Sequence, residues 1–291
     1  MRQPYDKISP TAKFVAYLRT FSDIPFANEI AEESSAQQTF KKLAGENARS
    51  LLRFAPRWEA RYKVTNSIIM ERDITQILEI AAGLSPRGLE MTANPSVVYV
   101  VTDLPSMVQE EKNIAKEILS KSKNHRSNLH FQAGNALDLK SLRSASSHFR
   151  AEQSVAVITE GLLPYLNRTE KILLARNIRK IISRHGGVWI TSDVESKESV
   201  KRLTKSFDAV RKRLSGLSNV TGRDIEGNMF STEDDIEQFF RHAGFEIVEK
   251  RPLSSVMSEL SSIRKLHLTE EEIVRIERIL KIFKTIILVP R

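Results

Sequence analysis

Short apolar runs in this sequence repeatedly end on a side chain able to do chemistry. The run TQILEIA (75–81) carries Glu79 near its end and leads into a small-residue turn, Ala81-Ala82-Gly83. The run SVVYVVT (96–102) ends on Asp103, 20 residues beyond Gly83, with Leu104 and Pro105 next. NLHFQA (128–133) leads into Gly134-Asn135-Ala136-Leu137-Asp138, and SVAVIT (154–159) into Glu160-Gly161, with Tyr165 just beyond. An acid at the end of a second strand suits bidentate hydrogen bonding to a ribose diol; Asp103 equally suits the N-cap of a helix beginning at Pro105. Small and amide residues after the third strand can frame an adenine, with Asn135 or a backbone amide meeting its nitrogens, and they serve as well for a plain turn. Glu160 enters a loop from a buried strand, where a carboxylate can receive an amino group or shape a reaction site.

The turn at 81–83 discriminates between ligands. A dinucleotide fingerprint laid from position 81 finds Ala81, Gly83 and Pro86, so two of its three glycines are missing. Those glycines let the backbone approach a pyrophosphate, and Pro86 has no N–H to offer one. S-adenosylmethionine has no phosphate, and a turn with one glycine accommodates it. A structural turn is the plain alternative.

These residues need a frame that brings strand ends together. The apolar runs continue with GVWITSD (187–193), FEIVEK (245–250) and TIILVP (285–290), uniformly apolar as in strands covered on both faces. Helix candidates lie between them at 105–121, 169–184, 231–243 and 269–283, and this alternation predicts an α/β fold with a doubly wound, mostly parallel seven-stranded sheet. Ser231 and Thr269, each followed by acids, read as helix starts. Residues 1–72 read as a helical N-terminal cap, with helices beginning near Ser9-Pro10, over 36–54 and over 58–70, ahead of a ligand-binding domain over 73–291. The stretch 195–222 interrupts the alternation as one inserted amphipathic basic helix, carrying Lys197, Lys201, Arg202, Lys205, Arg211, Lys212 and Arg213. It reads as a solvated face, or more sharply as a lid that draws in an acidic substrate.

On these segments the chain resembles the leucine carboxyl methyltransferase family, including its branch of polyketide O-methyltransferases. A first-strand motif like LGAGLDTR is matched by Ile80-Ala-Ala-Gly-Leu-Ser-Pro-Arg87, the V-D-L-P end of the second strand by Thr102-Asp103-Leu104-Pro105, and E-G-L-L-x-Y-L by Glu160 to Leu166. The resemblance implies an S-adenosylmethionine-dependent methyltransferase. It places the cofactor's amino-acid tail on Arg61, with Lys13 (matched by its spacing to Pro25) or Arg87, and its amine on Glu160. It assigns the ribose to Asp103, close backbone approach to Gly83, and the adenine flanks to Ala136 and Leu137. Glu79, Ala81, Leu104, Asn135 and Gly161 complete the expected contacts. Two departures stand out: Ala81 replaces the first glycine and adds a Cβ, and Ser85-Pro86 replaces an Asp-Thr pair, removing a charge beside Arg87.

Methyl transfer from a sulfonium is an in-line displacement, so catalysis is chiefly positioning. A carboxylate acceptor, with an ordinary pKa of about 4, needs no base; a hydroxyl would, and Tyr165 is the candidate. His125, His148 and His185 fall in stretches that read as surface loops, and no spaced set of ligands predicts a metal. There is no cysteine, which excludes disulfides and thiol nucleophiles. No apolar run approaches the roughly 18 residues of a membrane span, and the start lacks a signal-peptide core, so a cytoplasmic protein is expected. The net charge of +9, from 45 basic and 36 acidic side chains, favours an anionic partner, in the first place a small acidic substrate. A nucleic-acid partner is disfavoured, because aromatic residues are not interleaved with the basic run and no N-P-P-Y-like segment follows the fourth strand. A cofactor-binding protein without catalysis remains an alternative.

Overall fold

The computed structural model describes residues 9–203 and 221–291. Seven strands, β1 (Gln76–Ile80), β2 (Val98–Asp103), β3 (Leu129–Ala133), β4 (Val155–Thr159), β5 (Gly187–Thr191), β6 (Phe245–Pro252) and β7 (Lys284–Pro290), form one sheet in the order β3-β2-β1-β4-β5-β7-β6. β7 alone runs antiparallel to its neighbours, β5 and β6. The order reverses between β1 and β4, so the chain winds first to one side of β1 and then to the other. A crevice opens at the carboxyl ends of strands where a doubly wound sheet reverses.

Register determines what meets there. Ile80 pairs with Thr102 on one side and Thr159 on the other, and Thr159 pairs with Thr191. Ala81, Asp103 and Glu160, each the next residue or the last of its strand, therefore come to one level at the top of the sheet. Side chains alternate between faces along each strand. Leu78, Val100, Val157 and Trp189 join one core with α8 (Leu139–Ser146), α9 (Arg168–His185) and α12 (Glu233–His242). Ile77, Tyr99, Val101, Ala156 and Ile158 join the other with α5 (Ala55–Glu71) and α14 (Glu270–Ile282).

The helices before β1 depart from the expected spans: α5 (Ala55–Glu71) is longer than the expected 58–70 helix, and those ahead of it are shorter. Helix α1 covers Ser9–Arg19, α2 covers Ala27–Glu33 and α3 ends at Ala44, where Gly45 at φ +50° breaks the expected 36–54 helix before α4 (Ala48–Leu52) resumes it. Helix α7 (Pro105–Lys121) coincides with its expected span, and α9 is fixed by a capping box between Asn167 and Glu170. Helices α6 (Arg87–Met91), α8 and α13 (Ser261–Lys265), each too short for a helical repeat to register, were not read from the sequence. Thr232, not Ser231, caps α12.

Two strands depart from the expectation of cover on both faces: β3 and β6 are the sheet edges and are half-exposed. His185 is a second correction, buried at the end of α9 against Phe149 instead of sitting in a surface loop. Of the expected basic helix over 195–222, the described part is α10 (Lys197–Leu203); Lys205, Arg211, Lys212 and Arg213 lie outside the described residues. Its flanks are joined by a parallel bridge between Ser196 and Phe230. No helix among the described residues is long and apolar enough to cross a membrane.

Trp189 is fully buried in the centre of the sheet, edge-on to Phe240 and Phe245, with Nε1 donating to Thr159 Oγ1 at 2.9 Å. Trp189→Ala is expected to lower unfolding free energy by about 3–5 kcal/mol in chemical denaturation, through lost packing and a stranded hydroxyl.

Candidate active site

A cleft of about 170 Å³ opens over the reversal point. Its floor is the turn Ala81–Leu84 and the β4 exit Glu160–Leu162; one wall is Asp103–Leu104 and Gly134–Leu137, and the opposite wall is α1, Trp58, Arg61 and Tyr165.

The turn after β1 answers the question left by the missing glycine. Ala81 adopts φ +54°, the left-handed conformation that glycine takes freely. Alanine reaches it at a cost of about 1 kcal/mol, so the backbone path survives the substitution. Gly83 takes the same conformation, at φ +62°, and a Cβ there would in addition lie 3.1 Å from Ala12 Cβ on α1. Its N–H donates to Asp103 Oδ2 at 2.8 Å, while Asp103 Oδ1 accepts from Leu104 N at 2.7 Å. Asp103 therefore spans two turns and does not cap α7. Burial pushes its carboxyl up to about 6, against the pull of those two amides.

Beneath the floor lies a compact charge network. Arg87, 0% exposed, donates from Nη1 to Glu79 Oε1 at 2.5 Å, from Nη2 to Glu160 Oε1 at 2.8 Å and from Nε to Asn66 Oδ1 at 2.8 Å. The Tyr62 ring lies 4.7 Å away, and Tyr99 OH donates to the other oxygen of Glu79 at 2.6 Å. Burial works against the Arg87 charge, but Glu160 and Glu79 outweigh it and hold the guanidinium protonated. The carboxylates thus orient Arg87 without the aspartate that Ser85-Pro86 displaces. For Glu160, burial raises the carboxyl, but Arg87, Arg61 and Arg19 together bring it below its ordinary value.

Above the network, three polar atoms are left over. Glu160 Oε1 is taken by Arg87 and by Thr65 Oγ1 at 2.7 Å, but Oε2 makes no hydrogen bond; its nearest cations are Arg61 Nε at 3.4 Å and Arg19 Nη2 at 3.9 Å. Arg61 Nε and Arg19 Nε are likewise buried without a hydrogen bond. Arg19 Nη1 donates to Leu84 O at 3.2 Å, and burial with the neighbouring arginines brings its guanidinium down to about 10, still protonated at neutral pH. Arg61 stacks over Trp58 at 4.3 Å and faces Asp193 Oδ1 at 3.6 Å. Asp193 in turn accepts from the amides of Gly161, Leu162 and Leu163 at 2.7, 2.7 and 3.2 Å, pinning the loop that presents Glu160. Gly161 turns that loop at φ +80°. Burial raises the Asp193 carboxyl, partly offset by Arg61 and the three amides.

The sequence-derived residues divide accordingly. Arg61, Ala81, Gly83, Asp103, Leu104, Asn135, Ala136, Leu137, Glu160, Gly161 and Tyr165 all line the cleft. Three do not. Lys13 points off it and pairs with Glu110 at 2.7 Å, while Glu79 and Arg87 are sealed beneath the floor by each other. Asn135 contributes through its turn, since its side-chain oxygen accepts from Leu137 N at 2.9 Å. Tyr165 OH lies 3.2 Å from Thr11 Oγ1, and burial raises its phenol. Arg19 and Asp193 were missed. Arg19 follows the cleft-lining Val15 by four residues, on the same helical face, and that spacing was the available signal. Asp193 closes the run after β5 much as Asp103 closes β2.

The strand order and flanking helices define a Rossmann-like fold of the class I methyltransferase kind. Residues 14–179 match the profile of the leucine carboxyl methyltransferase family. The chain belongs to this family and is an S-adenosylmethionine-dependent methyltransferase. Its fold is similar to that of a DUF574 family protein from Streptomyces avermitilis, at 14% identity and a TM-score of 0.60 over 97% of each chain. A candidate O-methyltransferase from Nostoc punctiforme shares it at 14% identity and a TM-score of 0.52, over 98% of this chain and 72% of that one. No curated protein matches the sequence.

Removing one member of a buried ion cluster strands the others. Arg87→Met is therefore expected to destabilise the fold by about 3–5 kcal/mol in denaturant titration, even though Arg87 does not line the cleft.

Proposed function

We propose that the protein methylates an oxygen of a small carboxylic acid, holding the amino-acid tail of S-adenosylmethionine between Arg61, Arg19 and Glu160. The observation that carries this reading is the trio of buried atoms without hydrogen bonds on residues that line the cleft: two guanidinium N–H donors and one carboxylate oxygen. Buried polar groups are almost always satisfied. A zwitterion supplies the complement, a carboxylate for Arg61 and Arg19 and an ammonium for Glu160 Oε2. Asp103 accepts the ribose hydroxyls, and Ala136 and Leu137 flank the adenine. The cofactor supplies a methyl group made electrophilic by its positive sulfur.

The composition of the lining supports a carboxylate as the acceptor. Among the described residues its charged groups are Arg19, Arg61, Asp103 and Glu160, all engaged by the cofactor in this reading. The one further acid–base group in the lining, Tyr165, is less available as a base at neutral pH than a free phenol, because burial favours its neutral form. An acceptor already ionised at neutral pH, a carboxylate, needs no proton removed. The work of the site is then alignment, with α1, Trp58 and Tyr165 closing over the acceptor. The net charge of +9 favours such an anion.

Calorimetric titration of adenosylmethionine and adenosylhomocysteine, with NAD as control, tests the cofactor site. Arg61→Ala and Arg19→Met are each expected to weaken both ligands about tenfold to a hundredfold, the worth of a charge-assisted hydrogen bond. Lys13→Ala should leave affinity within about twofold, because Lys13 lies off the lining. Absence of binding to the folded protein would overturn the assignment, and an Arg19→Met variant of full affinity would return the tail to Arg61 alone.

The Asp103 carboxyl, at about 6, adds a pH dependence. Only the ionised form accepts both ribose hydroxyls, so affinity should be flat above pH 7 and fall about tenfold between pH 7.5 and pH 5. Asp103→Asn should bind weakly with no such slope.

A further inference from the structure

The wall of the cleft that carries Tyr165 is fastened from behind by a lysine with no part in the reaction described above. Lys171, in the first turn of α9, is 3% exposed, and its Nζ donates to the carbonyls of Leu166 and Asn228, each at 2.6 Å. Leu166 closes the 3₁₀ turn Leu163–Tyr165; Asn228 closes α11 (Ile225–Asn228), on the chain that follows residues 204–220. A second stitch runs the other way, from Asn228 Nδ2 to Pro164 O at 3.2 Å. Beyond Asn228, Phe230 O accepts from Lys197 N at 2.8 Å, and the Phe230 ring lies 5.4 Å from the ammonium.

This ammonium is buried with no carboxylate in salt-bridge contact among the described residues. The charged groups that face it are Asp193 after β5, Asp235 on α12, and Arg168 and Glu170 on its own helix. Each is engaged elsewhere: Asp193 by three amides, Asp235 by Arg168 at 2.8 Å, and Glu170 by Arg223 at 3.3 Å. Burying a lysine to satisfy two backbone carbonyls is an expensive way to pack a core, since an apolar side chain would fill the same space without desolvating a charge.

We propose that Lys171 is a positioning residue that locks the Tyr165 wall of the cleft to the 225–230 segment, so that the two move as one body. Its bearing on catalysis rests on the reading that this wall meets the acceptor; the lock itself does not.

The lock has a pH dependence whose sign follows from linkage. Burial lowers the Lys171 ammonium to about 8, whereas a lysine released to water returns to its ordinary 10.5. Across that interval the released state binds the proton more tightly, so rising pH favours the locked state. Between pH 7 and pH 9, release becomes about tenfold rarer.

Amide hydrogen exchange on the full chain, corrected for intrinsic rates, tests this. The amides of Tyr165, Leu166, Asn228 and Met229, all hydrogen-bonded to local carbonyls, report on the two segments. In the wild type, protection should rise about tenfold in both segments together from pH 7 to pH 9; in Lys171→Met it should not vary with pH. Protection that is unchanged in the wild type, that changes in one segment alone, or that keeps its pH dependence in Lys171→Met would overturn the proposal. If Lys171→Met does not fold, the wild-type comparison decides. Adenosylhomocysteine titrated into the same wild-type samples separates the two readings: its failure to bind would sink the cofactor site, while the lock stands or falls on exchange alone.

Discussion

The site is organised around one buried cation. Arg87 lies under the crevice with one nitrogen on Glu79 of β1, a second on Glu160 beyond β4 and the third on Asn66 of α5. In a low-dielectric interior such a guanidinium is tolerated only when its donors are matched, and its five N–H groups in a rigid fork suit carboxylates arriving from different directions. The consequence is geometric. Two adjacent strands and helix α5 are tied at one point just below the cleft floor, and one oxygen of Glu160 is consumed below so that only the other is left without a hydrogen bond. A residue sealed beneath the cleft thus determines which polar groups the cleft presents.

A second tier rests on that tie. Asp193 holds the loop after β4 by three amides and faces Arg61, so the charge that answers Glu160 is oriented from the neighbouring strand. Asp103 does the same across the first crossover, spanning the amides of Gly83 and Leu104. Both carboxylates accept loop amides, which rigidifies the rim and partly offsets the rise in proton affinity that burial imposes on them.

Much of this was legible in the sequence because it is local in sequence. Runs of Val and Ile ending in an acid mark the carboxyl ends of parallel strands, and Glu79, Asp103 and Glu160 were found that way. What remained hidden depends on contacts that no local pattern encodes. Arg87 and Arg61 look alike as sequence, yet one is sealed under the floor and the other lines the cleft, because Glu79 and Asn66 claim the first. Lys13 was singled out by its spacing to Pro25 and Arg19 was not considered, while the helical repeat from Val15 turns Arg19 inward and leaves Lys13 to Glu110. The half-exposed edges β3 and β6 read as apolar runs like the rest, since strand order cannot be read from composition.

The turn after β1 has an implication for how such proteins are recognised. Ala81 holds the left-handed backbone angle that a glycine would adopt freely, so the path of the chain is retained although the residue that signals it is not. A pattern that counts glycines passes over this turn, whereas a description in backbone angles does not. The grammar of the loop is written in conformation, and its spelling in residues is free wherever the surrounding contacts can bear about a kilocalorie of strain.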